Sequence, residues 1–89
     1  MEEEINNLRE KIDEIDNKII GLLRERFGVA KNIGDYKKKK GLPVRDLKRE
    51  KEVIDRVIEK TKEQGIKDIE QIKKVYIKIM ESCRDIQRK

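Results

Sequence analysis

A chain of 89 residues fits one small domain, and 48% charged against 35% hydrophobic residues, with one Phe, two Tyr and no Trp, is thin material for a core of its own. The lack of His removes imidazole acid–base chemistry and the commonest metal ligand, and a single Cys excludes an internal disulfide. The formal charge of +5 is concentrated, because residues 31–51 hold nine Lys/Arg against three Asp/Glu, and such a focus attracts anions without naming them.

The first predicted element is a helix from about residue 3 to 39. Ile5, Leu8, Ile12, Ile15, Ile19, Leu22, Arg26, Val29 and Ile33 step by alternating three and four, which is a heptad seam. A second stripe, Ile20, Leu23, Phe27, Ala30 and Gly34, runs beside it from mid-helix, so the second half should bury the wider face. At ~1.5 Å per residue this helix is ~55 Å long, whereas a compact chain of this length has a radius of gyration of about 12 Å. The long helix therefore outgrows its own globule. The expectation is an all-α fold of three helices per chain, one long and two shorter, closed as a homodimer with the long helices packed together.

A turn over 40–46 follows, with Gly41 and Pro43 as stop signals and Asp46 as the N-cap of a second helix over about 47–63. Glu50 falls in the first turns of that helix, where a carboxylate suits the dipole. Leu47, Ile54, Val57, Ile58 and Thr61 make its predicted inner face. "EQGIKD" around Gly65 ends it. Asp68 is the expected cap of a third helix, about 68–88, carrying Ile69, Ile72, Tyr76, Ile79, Met80, Cys83 and Ile86 on one side. Residues 1–89 thus read as a single helical domain. No stretch approaches the ~20 apolar residues of a membrane span. The start, "MEEEINN", is acidic where a signal peptide is basic and then apolar, so the expected compartment is the cytoplasm.

Four polar residues occupy inward positions. Arg26 lies in the seam, Lys37 continues its line four after Ile33, Glu50 sits between Leu47 and Ile54, and Gln87 lies four after Cys83. Buried charge is costly unless paired. The four either form a structural salt-bridge cluster that fixes register, or they converge on a shared polar cavity. Alone, "KKKK" at 37–40 reads as a solvated helix end, and Arg9 as a surface residue at the seam's edge.

Taken in order, "LREKIDEIDNKIIGLLRER", "PVRDLKRE" and "ESCRDIQ" resemble the all-helical chorismate mutases, over nearly the whole chain. The family pattern falls on Arg9, Arg26, Lys37, Asp46, Arg49, Glu50 and Gln87. The resemblance implies an intertwined helical homodimer with two equivalent sites, each borrowing Arg9 from the other chain, and a stand-alone form without a fused domain. It also implies rearrangement of chorismate to prephenate, in aromatic amino acid biosynthesis, with no cofactor and no metal. In that scheme Arg9 and Arg26 clamp the two carboxylates of the substrate, with Arg49 nearby. Lys37 and Gln87 face the ether oxygen, and Glu50, with the Asp46 region, takes the ring hydroxyl. One departure concerns Cys83, where family members often carry Ser against a substrate carboxylate. A thiol is the poorer donor, so Cys83 is either a weak substrate contact or a small core residue. A lyase of the same fold that releases pyruvate from isochorismate is the alternative. A basic nucleic-acid-binding module is a more distant one, and no nucleic acid is expected because no aromatics interleave the basic run and no binding motif is present.

Overall fold

The computed structural model describes residues 1–89 as three helices and no strand: α1 Glu2–Lys40, α2 Leu47–Glu63 and α3 Ile69–Arg88. Charge placement favours α1 at both ends, with Glu2, Glu3 and Glu4 in its first turn and Lys37 to Lys40 in its last. It stops at Gly41, which adopts a left-handed φ of 67° while the Leu42 amide reaches back to the Lys37 carbonyl at 2.8 Å. Pro43 then prevents any continuation. Asp46 caps α2, its Oδ1 accepting the Arg49 amide at 3.0 Å. At α3 the expectation fails in detail, because Asp68 holds the N-cap position but its side chain makes no capping bond. No helix is long and apolar enough to cross a membrane.

α3 is the central element. It packs against both α1 and α2, which do not pack on each other. Val53, Val57 and Met80 form the buried cluster between α2 and α3, with Ile54, Ile72 and Tyr76 around it. Thr61 is also buried, and its hydroxyl donates to the Val57 carbonyl at 2.7 Å, so no polar atom is stranded there. The inner face of α2 is rotated from the predicted one. Leu47 is 68% exposed, and Val53 is in the core instead. At 100° per residue Leu47 lies about 80° around the helix from Val57, off the buried line.

Of the two stripes on α1, the second packs within the chain, but only from Leu23 onward. Leu23 and Phe27 are half-buried and Ala30 and Gly34 are buried, whereas Ile20, expected in the same stripe, is exposed because it lies on the half of α1 that projects past α3. The heptad seam, Ile5, Leu8, Ile12, Ile15, Ile19, Leu22, Val29 and Ile33, is exposed throughout. The molecule measures 58 × 26 × 16 Å with a radius of gyration of 16.5 Å, well above the roughly 12 Å of a compact chain of this length. The N-terminal half of α1 projects because α3 has only 20 residues against its 39.

Gly34 sets how closely α1 and α3 approach. A Cβ there would lie 2.6 Å from both Cα and the carbonyl oxygen of Gln87, and backbone cannot swing aside as a flexible side chain can. Gly34→Ala is therefore expected to force the helices apart and to destabilise the fold by roughly 1–3 kcal/mol, the usual range for overpacking. Gly28→Ala, on the same helix with nothing within 4 Å, is expected to stabilise it by about 0.5–1 kcal/mol. Denaturant melts of the two variants beside the parent check both signs.

Candidate functional site

The end of α1, the start of α2 and the end of α3 meet around one cavity of about 320 Å³. α1 contributes Arg26 and Lys37. The turn and α2 contribute Asp46, Arg49, Glu50 and Arg56, and α3 contributes Cys83, Arg84 and Gln87. Val29, Ala30, Ile33, Val44, Val53 and Met80 supply the apolar part of the wall. The four polar residues at inward positions thus line one space, together with Asp46, Arg49 and Cys83. Arg9 does not. It lies 17 residues before Arg26 on a continuous helix, which is about 25 Å.

Two contacts from α1 to α3 organise the cavity. Arg26 donates from Nη1 to the sulfur of buried Cys83 at 2.8 Å. Cys83 is therefore already engaged by an arginine, as well as being a small core residue. Lys37 donates to the Val44 carbonyl at 2.6 Å and to Gln87 Oε1 at 3.0 Å. An ammonium offers donors only, so Gln87 must turn its oxygen to Lys37, and that leaves the amide NH₂ to donate elsewhere. The first of these bonds also straps the turn to α1.

On the α2 side, Glu50 is held from two directions. Arg84 Nη1 lies 3.0 Å from Oε2, and Arg45 reaches Oε1 and Oε2 at 3.4 Å each. Arg49, although it lines the cavity, turns its guanidinium to Glu52 at 3.5 Å on the solvent side. Asp46 spends one oxygen on the helix cap. Farther out, Lys51 donates to Asp55 at 2.8 Å, a bond that raises the ammonium above its ordinary value, but this pair is on the outer face.

Arg56 and Arg84 line the cavity without having been singled out from the sequence. The signal for Arg84 was present: Tyr76, Met80, Arg84 and Gln87 step by four, four and three along one face of α3. Arg56 lies three after the core residue Val53 and seven after Arg49. With them the wall carries five cations, Arg26, Lys37, Arg49, Arg56 and Arg84, against the two carboxylates of Asp46 and Glu50. Such a cavity suits a small anion with more than one acceptor group. Its arginine forks match carboxylates, and one acceptor, Glu50, is suited to a hydroxyl.

Residues 8–88 match the family described as chorismate mutase type II. The chain is 46% identical over 55 residues to a chorismate mutase of Methanocaldococcus jannaschii, a stretch covering 62% of this chain and 56% of that protein. It is 45% identical over 53 residues to a bifunctional chorismate mutase/prephenate dehydratase of Aquifex aeolicus, covering 60% of this chain and 15% of that protein. A protein of the same description from Escherichia coli K12 matches at 42% over 48 residues, 54% of this chain and 12% of its own length. The matched stretch thus spans about half the first relative and a small part of the other two.

The Lys37 strap makes a prediction independent of any ligand. Lys37→Met removes one charge-assisted bond to the turn, worth about 1–1.5 kcal/mol in this half-exposed setting. Trypsin cleavage after Arg45 should then quicken roughly five- to tenfold, since cleavage tracks the population of the opened turn. Timed digestion read by mass spectrometry checks this, with circular dichroism to verify that helix content is unchanged.

Proposed function

The chain belongs to the chorismate mutase type II family, and from that premise we propose that it converts chorismate to prephenate, a step toward the aromatic amino acids. The observation that carries the reading is the convergence of Arg26, Lys37, Glu50 and Gln87, from three helices, on one cavity. The reaction is an intramolecular pericyclic rearrangement, in which one C–O bond breaks as a C–C bond forms. It needs no nucleophile and no proton transfer. The protein has two tasks, to hold the enolpyruvyl arm over the ring and to stabilise charge developing on the ether oxygen.

Arg26 suits the first task because its fork can bind a carboxylate bidentately, and the thiol of Cys83 holds its guanidinium at the cavity wall. Lys37 and Gln87 suit the second. They are 3.0 Å apart, and both have donor capacity left after their mutual bond and the Val44 strap. A positive charge and an amide N–H aimed at one oxygen favour the transition state, in which that oxygen gains charge, over the ground state. Glu50 accepts from the ring hydroxyl. Asp46 and Arg49 complete the rim, and Arg49 must leave Glu52 if it is to meet the ligand.

The second carboxylate is assigned to Arg9 of another copy of this chain. The exposed heptad seam of α1 supports the assignment, because its apolar residues have no cover within one chain and a second α1 would bury them. The functional unit proposed is a homodimer with two shared sites. Incubation with chorismate, following loss of its ultraviolet absorbance and acid-released phenylpyruvate, tests the activity. Pyruvate release from isochorismate instead would move the assignment to a lyase.

Arg9→Ala and Arg26→Ala should each remove most activity while keeping helix content. If sites are shared, mixing the two inactive variants restores part of it, because one site of each mixed dimer then holds neither substitution. No recovery after subunit exchange would show Arg9 to act within its own chain or not at all. Gln87→Glu tests the donor role through pH. A carboxyl donates only when protonated, and Lys37 beside it favours the charged form, so its pKa is pulled down from the ordinary ~4.3. Activity of this variant should fall about tenfold per pH unit above that pKa, while the parent, with an amide there, follows no such slope. Rate–pH profiles of the two proteins check the difference.

A further inference from the structure

Resting on the function proposed above, we infer that Arg84 is a positioning residue, holding the Glu50 carboxylate toward the ring hydroxyl of the substrate and so setting the preference for a hydroxylated ring. Glu50 is a long, flexible side chain on the first turn of α2, and left alone it would sample several rotamers. Arg84 reaches it from α3, across 34 residues of sequence, with Nη1 at 3.0 Å from Oε2. The side chains of this pair are 19% and 21% exposed, so solvent screens the contact less than it screens an ordinary surface pair. Arg45, the other neighbour of Glu50, is 55% exposed and stands farther off at 3.4 Å, which makes it the weaker restraint.

The pair is not needed to hold α2 on α3. The cluster of Val53, Val57 and Met80 does that deeper along the same two helices. A guanidinium clamped on one oxygen of the carboxylate leaves Oε1 to accept from a ligand, shared only with the long contact to Arg45. The arrangement therefore selects for a donor at the place where Glu50 is aimed. It adds nothing for a ligand that lacks one.

Four proteins test this: the parent, Arg84→Gln, Glu50→Gln and the double variant, each assayed with chorismate and with the analogue in which hydrogen replaces the ring hydroxyl. Arg84→Gln is expected to lower kcat/KM for chorismate roughly tenfold or more, the scale of one charge-assisted hydrogen bond. Any loss of kcat/KM on the deoxy analogue, which feels only the change in cavity charge, should be several-fold smaller, so that the preference for the hydroxylated compound falls. The double variant should be worse than Glu50→Gln by no more than that smaller factor, since a residue that acts through Glu50 has nothing to position once the carboxylate is gone. Arg84→Lys should recover part of the preference, and it serves if the glutamine variant folds poorly. Equal losses on both compounds, or losses that multiply in the double variant, would overturn the inference and make Arg84 a direct ligand of a substrate carboxylate or a structural staple. A parent active on chorismate confines such a failure to Arg84, whereas an inactive parent overturns the proposed function and this inference together.

Discussion

The site depends on the contact at Gly34, where α1 comes against the backbone of Gln87 with no room for a side chain between them. The α1 side of the cavity is a consequence of that register. With α1 and α3 parallel and this close, Arg26 falls beside Cys83 and Lys37 beside Gln87, two donors from one helix meeting two groups on the other. A larger residue at 34 would separate both pairs together, because they lie on the same two helices. Glycine in mid-helix costs stability relative to alanine. Its presence here is accounted for by what it lets the neighbouring helix do.

A second constraint is how little one chain buries. Only seven of the 89 residues are buried, and the apolar cluster between α2 and α3 has three members. A cavity lined by five cations and two carboxylates adds a further cost, since like charges gathered at one place repel until something negative separates them. The chain therefore places a repulsive site on a thin scaffold. The proposed second copy would relieve the first problem by covering the apolar seam of α1. A dicarboxylate ligand would relieve the other, and ligand binding should accordingly raise stability by mass action.

The helices were legible in the sequence because each signal was local. Gly41 and Asp46 act within a turn of themselves, and the heptad spacing needs only one helix to be seen. Which stripe of α1 would pack inside the chain was not legible from period alone, since both stripes have the same period. The choice depends on α3, whose inward face meets Phe27, Ala30 and Gly34. The placement of Leu47 failed for a related reason: it shares a broad face with Ile54 and Ile58, but α3 covers only the part centred on Val53 and Val57. At the cavity, Arg26, Lys37, Glu50 and Gln87 stood out as polar residues in apolar lines. Arg84, four after Met80 but on the shoulder of its stripe, was the weaker signal, and it becomes a cavity residue only when α2 brings Glu50 opposite.

Lys37 arranges much of the architecture around the cavity. It stands in the last turn of α1, where the unsatisfied carbonyls already favour a cation, and one ammonium has three donors to distribute. Two are spent on the protein, on Val44 and Gln87. The first fixes the turn that delivers Asp46 and Arg49, and the second fixes which end of the Gln87 amide is left free. An arginine in this position would present a planar fork and could not point at the turn, at Gln87 and at a third acceptor in three different directions. A compact point charge can. The residue that would stabilise developing charge on a ligand is thus the one that arranges its neighbours beforehand, and little reorganisation then remains for the moment of reaction.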